Sequence, residues 1–228
     1  MTFRTIWTRS EVVLEIKRSR FIGRAAPVET LEQAQAFVAE IAAGERQANH
    51  HCSCWRVGET GLMQRYSDDG EPQGTAGIPM LELLRKEDVT NCAVVVTRYF
   101  GGIKLGASGL VRAYTQLCHM ALHEAKIIRR APYFMIKLLV PYPLLGKIDH
   151  FLSTHRIAEL DRNFDEAVLI RVAVEEGEAA CFEQQIAELS SASIETRCQE
   201  KRLIAVDNGG MLLDAEEQFS IPSQSKNK

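Results

Sequence analysis

The chain has 228 residues, enough for one large or two small domains with a hydrophobic core. Hydrophobic residues make up 46% and charged residues 25% of the sequence, which excludes a disordered chain, and 15 glycines with 7 prolines exclude a fibrous or low-complexity one. The net charge of -3 excludes a protein that coats nucleic acid or an anionic membrane over its whole surface. A local basic site is compatible with these numbers.

The sequence predicts a cytoplasmic protein without a membrane-spanning segment. Residues 1–10 contain no apolar stretch of the kind that forms a secretory signal. The longest apolar passage, residues 131–145, is interrupted by Lys137, Pro141 and Pro143 and is too short to span a bilayer. Six cysteines in a chain of this length, with no export signal, indicate reduced thiols and not a disulfide framework.

Charge and glycine content both change near residue 130. Residues 1–130 carry 17 lysines and arginines against 14 acidic residues, whereas residues 131–228 carry 10 against 16. Both Gly-rich runs fall in the first half. We therefore predict one domain over residues 1–131, a second over 132–204 and a flexible tail over 205–228.

Hydrophobic patterns in the first half predict an α+β sandwich of sheet and helices. A capping box of Thr30 and Gln33 precedes one helix, and the Ala-Val run of residues 91–97 is typical of a strand that is buried on both faces. The predicted strands are 11–17, 20–28, 51–57, 63–66 and 91–97, and the predicted helices are 31–43, 75–84 and 108–125.

The second half reads in order as strand, helix, strand, strand, helix and strand. This βαββαβ order is that of the ferredoxin-like fold. Asp165 and Glu166 form a short turn, so the two middle strands are expected to pair as a hairpin. The predicted elements are 134–140, 143–153, 156–164, 167–174, 178–189 and 193–203.

An acidic loop rich in glycine and proline follows the strand predicted at 63–66. Its carboxylates must be solvated, paired with cations or coordinated to a metal. Carboxylate oxygens are ligands that suit Mg²⁺ or Ca²⁺. The structural interpretation is a tight turn at Asp69-Gly70, a helix cap from Thr75 and an acidic side chain that complements the helix dipole. The alternatives are a contact with a partner or substrate and a catalytic metal. The residues concerned are Asp68, Asp69, Gly70, Glu71, Gly74, Thr75 and Gly77.

A Gly-rich loop lies between the buried strand and the long helix. Small residues allow backbone N–H groups to approach a ligand, a helix start favours negative charge, and the loop supplies cations, so phosphate is the expected ligand. The loop matches neither the Walker pattern nor GxGxxG. The structural interpretation is a tight crossover with a solvated lysine. The predicted anion- or nucleic-acid-binding residues are Arg98, Phe100, Gly101, Gly102, Lys104, Gly106, Ser108, Gly109 and Arg112.

Two groups of histidines and cysteines have an incomplete set of metal ligands. His50, Cys52 and Cys54 point to one face of a strand, but no second Cys or His pair follows at the spacing of a structural zinc site. His119 and His123 lie at i, i+4 on a polar helix face. Two histidines without a third ligand usually belong to a solvent-exposed helix face and do not bind a metal. We therefore predict no metal, no cofactor and no catalytic residue.

The two loops together carry motifs that are much more specific than either loop alone. These motifs are Asp68-Asp69-Gly70-Glu71-Pro72, Gly74-Thr75-Ala76-Gly77, Pro79-Met80-Leu81, the run from Val94 to Gly102, Lys104-Leu105-Gly106 and the run from Gly109 to Tyr114, with Lys17, Ser19, Arg20, Phe21 and His51 nearby. With them the chain closely resembles the IMPACT family, including its bacterial YigZ-like members. The motifs cover residues 5–130, and the second half fits by architecture.

The resemblance implies an N-terminal domain similar to the second domain of ribosomal protein S-five and a C-terminal domain similar to the last domain of elongation factor G. It also implies translation regulation in a stress response, because eukaryotic members are linked to restraint of the starvation-activated initiation-factor kinase through its activator protein. Bacteria lack that kinase, so a bacterial member needs another target, such as RNA or the ribosome.

Two positions depart from the family pattern. Ile78 stands where the family commonly has lysine, which removes a cation between the two loops. Ser108-Gly109 stands where the family commonly has Gly-Gly, and Ser108 is expected to improve the helix cap.

Three hypotheses follow. The first is a non-enzymatic regulator of translation that binds RNA, the ribosome or a translation-associated protein, with a phosphate held by Arg98, Lys104, Arg112 and nearby backbone amides. The second is an enzyme whose acidic loop holds Mg²⁺ against a phosphorylated substrate. The third is a protein-interaction module that docks a partner on its ferredoxin-like sheet.

Overall fold

The computed structural model describes residues 1–214, which divide into a first unit of residues 1–129 and a second unit that begins at Arg130. The first unit contains a short strand, β1, and a five-stranded antiparallel sheet in the order β2-β3-β6-β4-β5. The strands are β1 (Phe3–Ile6), β2 (Ser10–Ile16), β3 (Ser19–Pro27), β4 (His50–Val57), β5 (Met63–Ser67) and β6 (Cys92–Tyr99).

Three helices cover the two faces of this sheet. They are α1 (Leu31–Gly44), α2 (Gly77–Lys86) and α3 (Ala107–Glu124). Helices α2 and α3 share a core with Val94 and Val96 of β6, whereas α1 packs with Ala93 and Val95 on the opposite face. Successive side chains of a strand point to opposite faces, so the prediction that β6 is buried on both faces is confirmed.

The helix and strand predictions of the first half are confirmed to within a few residues. Helix α1 has its N-cap at Thr30, whose Oγ1 accepts from the N–H of Gln33 at 3.2 Å. The capping box is modified, because Gln33 Oε1 accepts from the N–H of Glu29 and not from that of Thr30. Strand β1 was not predicted, since four residues are too short to show a period.

The second unit is a ferredoxin-like α+β fold, as predicted. Its strands form a sheet in the order β10-β7-β9-β8, and α4 and α5 share a core with residues of β7 and β9. Strands β8 and β9 pair as the antiparallel hairpin that the sequence indicated. The elements are β7 (Ile127–Val140), α4 (Leu145–Thr154), β8 (Ala158–Phe164), β9 (Val168–Glu175), α5 (Ala179–Ser190) and β10 (Glu195–Val206).

The limits of the second half agree with the prediction to within about two residues except at two strand ends. Strand β7 begins at Ile127 and not at residue 134, and the division between the units after Arg129 falls inside it. Strand β10 continues to Val206, which forms an antiparallel bridge with Leu212. The domain limits of 1–131 and 132–204 stay a prediction. Most of the tail predicted over 205–228 lies outside the described residues.

The helices of the described residues were compared with the length and apolarity that a bilayer requires. Within residues 1–214, every helix is either too short or too polar to cross a bilayer.

Candidate anion-binding cleft

Asp68 forms the N-terminal cap of α2. Its carboxylate accepts from the backbone N–H groups of Gly74 at 2.8 Å, Ala76 at 3.1 Å and Gly77 at 2.8 Å. The sequence correctly indicated that an acidic side chain would complement this helix start. The prediction that Thr75 caps the helix is wrong, because its Oγ1 donates to the carbonyl of Pro72 at 2.7 Å.

Asp69 ties the acidic loop to strand β4. Asp69 and Gly70 have φ angles of 40° and 82°, and the N–H of Glu71 donates to the carbonyl of Asp68 at 2.9 Å, which confirms the tight turn. The Asp69 carboxylate accepts from the N–H of His51 at 2.5 Å, and its carbonyl lies 2.8 Å from His50 Nδ1. The loop is therefore held against the start of β4.

Glu71 and Arg98 form a buried ion pair. Arg98 Nη1 donates to Glu71 Oε1 at 2.6 Å, and the two side chains are 6% and 3% exposed. The buried hydroxyl of Tyr114 donates to the same oxygen at 2.7 Å. Burial, followed by the neighbouring Cys52 and Glu71, raises the pKa of Tyr114 above its usual range, so this hydroxyl stays protonated and acts as a donor.

Arg98 lies in a row of side chains that crosses three strands. Its cross-strand neighbours are Phe21 on β3 and His50 on β4. The guanidinium carbon lies 5.2 Å from the ring centroid of Phe21 and 5.4 Å from that of Phe100, distances at which a cation is attracted by an aromatic face. Within residues 1–214, the Nε of Arg98 has no hydrogen-bond partner.

The Gly-rich loop packs closely against the turn between β2 and β3. The N–H of Gly101 donates to Ser19 Oγ at 3.1 Å, and a Cβ at Gly101 would lie 2.0 Å from the carbonyl oxygen of Arg18. Glycine is therefore required at this position. The contact also brings the backbone of a basic turn, with exposed Lys17, Arg18 and Arg20, beside the loop.

Helix α3 begins without a side-chain cap. Gly106, with φ of 79°, is the N-cap residue, so no side-chain hydrogen bond closes the first turn. The expectation that Ser108 improves the cap is wrong, because Ser108 is the second residue of the helix itself.

A cleft of about 410 Å³ lies between the acidic loop and the Gly-rich loop. Of the predicted residues it brings together Arg98, Phe100, Lys104, Gly106 and Glu71. The other predicted residues are not part of its lining. Six lining residues were not among the predicted site residues. Pro72, Leu105 and Leu110 lie within the family motifs, which were a signal for them, whereas the signal for Asn49, His50 and Ala107 was only their position beside predicted residues.

The three carboxylates of the acidic loop do not converge on one point. Asp68 accepts from three backbone N–H groups, Asp69 accepts from His51, and Glu71 is paired with Arg98. Each carboxylate is thus engaged by a different part of the protein. This geometry supports the structural interpretation of Asp68 and Asp69. It does not support a Mg²⁺ ion that is shared by the three carboxylates.

Cys52 and Cys54 lie in the core that α2 and α3 cover, on the strand face that the sequence predicted. Burial raises the pKa of Cys52 to about 12, and burial also raises the pKa of Cys54 and Cys92. These thiols stay protonated at neutral pH and are shielded from reagents.

Thiol labelling tests this burial. At pH 8 we expect a disulfide reagent to label two thiols rapidly in the folded chain, the exposed Cys181 and Cys198, and all six in urea. Serine at both exposed positions should abolish the rapid phase. Rapid labelling of more than two thiols in the folded chain would contradict the buried placement.

Comparisons with known proteins agree with this architecture of an α+β unit with a Gly-rich cleft followed by a ferredoxin-like unit. Residues 17–122 match the model of the Impact N-terminal domain, and residues 138–193 match a domain of unknown function, DUF1949. IMPACT family member YvyE of Bacillus subtilis is 37% identical over 82% of this chain and 86% of its own length. IMPACT family member YigZ of Escherichia coli is 38% identical over 81% of this chain and 91% of its own length.

A solved structure is also similar over most of the chain. Described as the crystal structure of a hypothetical protein, it is 34% identical, with a TM-score of 0.54, and the match covers 87% of this chain and 98% of that one. The chain therefore belongs to the IMPACT family, as its motifs indicated.

Proposed function

We propose that this protein regulates translation by binding RNA, free or within the ribosome, through a phosphate group in the cleft. One observation carries the proposal: the uncapped N-terminus of α3 opens into the same cleft as the exposed Lys104. A helix N-terminus favours an anion through its unpaired N–H groups and its dipole, and nearby cations add to this attraction.

The charge balance of the cleft supports an anion. The negative charge of Glu71 is matched by Arg98 at 2.6 Å and further stabilised by the hydroxyl of Tyr114. Lys104 is exposed and forms no ion pair within residues 1–214, so its charge is available to a ligand. The exposed turn at Lys17 and Arg18 adds positive charge beside the loop.

An exposed aromatic ring favours single-stranded RNA as the ligand. Phe100 is 46% exposed and belongs to the lining of the cleft together with Lys104. Unpaired bases stack on such rings, and this is the usual way in which proteins recognise single-stranded RNA. Membership of the IMPACT family, for which the sequence resemblance implies a role in translation, supports the same choice.

The salt dependence of RNA binding tests the proposal. We expect the full chain to bind single-stranded RNA with an affinity that falls as salt rises. Lys104→Ala should weaken binding severalfold and reduce the salt slope by about 1, because one phosphate contact fewer means one counterion fewer released on binding. Phe100→Ala should weaken binding by about 1–3 kcal/mol with little change in slope.

The matched control is Lys147→Ala, which removes an exposed lysine on α4 of the second unit and should change neither quantity. Unchanged affinity and salt slope in the Lys104→Ala variant would contradict the proposal. Binding to ribosomes but not to free RNA would restrict it to RNA within the ribosome. Saturation of the cleft by a small phosphorylated compound without RNA binding would replace it with a metabolite-binding function.

A further inference from the structure

A second cluster of polar side chains lies on the first unit, away from the cleft. Glu87 is the C-cap residue of α2, and His119 and His123 are one turn apart on α3. One ligand atom from each of the three residues lies within 4.8 Å of the other two. The sequence showed only the histidine pair, and the fold supplies a third ligand from a different helix.

We propose that Glu87, His119 and His123 bind a divalent transition-metal ion, with Zn²⁺ as the preferred occupant. Two imidazole nitrogens and one carboxylate oxygen form a ligand set that Zn²⁺ accepts, with water in the fourth position. Ligands of a tetrahedral ion at about 2.1 Å lie roughly 3.4 Å apart. A closing movement of at most about 1.4 Å between ligand atoms completes the site, and rotation of the side chains supplies it.

The side chains are already arranged for a common ligand. The imidazole rings of His119 and His123 have centroids 4.2 Å apart and are tilted by 35°. The N–H of Glu87 donates to the carbonyl of Leu83 at 2.9 Å, which fixes the end of α2. Because α2 and α3 also share one buried core, the backbone that carries the ligands is held in place without the ion.

The surroundings of the cluster determine how tightly it would bind a metal ion. Both histidines are exposed and Glu87 is partly buried, so an ion would enter from solvent and keep water ligands. Arg4 lies 4.0 Å from Glu87 Oε2, and it donates to the Glu87 carbonyl at 2.6 Å. This positive charge weakens the attraction of the carboxylate for a cation. We therefore expect micromolar binding and not the affinity of a buried structural zinc site.

The cluster is separate from the proposed phosphate site. His119 lies twelve residues beyond Ala107, the first residue of α3, which corresponds to about 18 Å along the helix axis. Substitutions in the cleft, such as Lys104→Ala, should therefore leave metal binding unchanged, and the failure of either proposal is distinguishable from the failure of the other.

Calorimetric titration of the full chain with Zn²⁺ tests the site. The parent chain for this experiment carries Cys181→Ser and Cys198→Ser, which removes the two exposed thiols as competing ligands. We expect one saturable site. His119→Ala and His123→Ala should each weaken it at least tenfold, and Glu87→Gln severalfold. The control His150→Ala, at an exposed histidine of α4, should bind as the parent does.

Two results would overturn the assignment. One is the absence of saturable Zn²⁺ binding by the parent chain. The other is unchanged affinity in the His119→Ala, His123→Ala double variant, provided that its thermal unfolding in the absence of metal matches that of the parent. Because both histidine side chains are exposed, this variant is expected to fold normally.

Discussion

The substitution Arg98→Ala is expected to lower the free energy of unfolding of the first unit by about 3–5 kcal/mol, the usual cost of removing one partner of a buried ion pair. The Glu71 carboxylate, 3% exposed, would keep the hydroxyl of Tyr114 as a hydrogen-bond donor and the imidazole of His50, whose Nε2 lies 4.0 Å from Oε1, but would lose its guanidinium partner. Trp7 and Trp55 are the two tryptophans of the chain, and both lie in the first unit. Urea unfolding followed by tryptophan fluorescence therefore measures this effect without contribution from the second unit.

An exposed ion pair on the same unit provides the control. Arg9 Nη1 lies 2.8 Å from Glu40 Oε1, but the two side chains are 63% and 53% exposed. Arg9→Ala should cost at most about 1 kcal/mol. Combining Arg98→Met with Glu71→Gln should recover part of the lost stability, because no unpaired charge then stays buried. A cost for Arg98→Ala no larger than that for Arg9→Ala would show that Glu71 and Arg98 are not a buried pair.

Asp68→Ala is expected to destabilise the first unit by about 3 kcal/mol, because one charged acceptor serves three backbone donors. The N–H groups of Gly74, Ala76 and Gly77 would all lose their partner. This exceeds the cost of about 1 kcal/mol that is typical of an ordinary helix cap. The same fluorescence-detected urea unfolding measures it.

A graded series separates the cap from a general charge effect. Asp68→Asn keeps one acceptor oxygen and should cost less than Asp68→Ala. Glu59→Ala, which removes an exposed carboxylate from the loop after β4, should change stability by no more than about 0.5 kcal/mol. Equal effects of Asp68→Ala and Glu59→Ala would show that the carboxylate of Asp68 does not hold the start of α2.

Element order and fold class were predictable because they depend on local patterns. The alternation that defines the strands, the Thr30 cap of α1 and the βαββαβ order of the second unit are all written in short stretches of sequence. The early start of β7 was missed because Arg129 and Arg130 interrupt its apolar run, although both lie within the strand.

The composition of the cleft was only partly predictable, because it depends on contacts between distant residues. Sequence alone presented Arg98 as a cation for phosphate, whereas the fold buries it against Glu71, which lies 27 residues away. The cap of α2 was assigned to Thr75, the nearest residue of a suitable type, because the path of the loop that brings Asp68 to the helix start is a tertiary property. Glu87 was not associated with the histidines of α3 for the same reason.

The position of Arg98 between Phe21 and His50 also determines the register of β6 in the sheet. Alanine and valine fill both faces of this strand between Ala93 and Val96, so a slip by one residue would still bury apolar side chains on either side. It would, however, turn Arg98 away from Glu71 and leave both charges unpaired. A single-residue deletion in β6 should therefore be far more harmful than its hydrophobic content suggests, because the polar pair and not the valines distinguishes the native alignment from its neighbour.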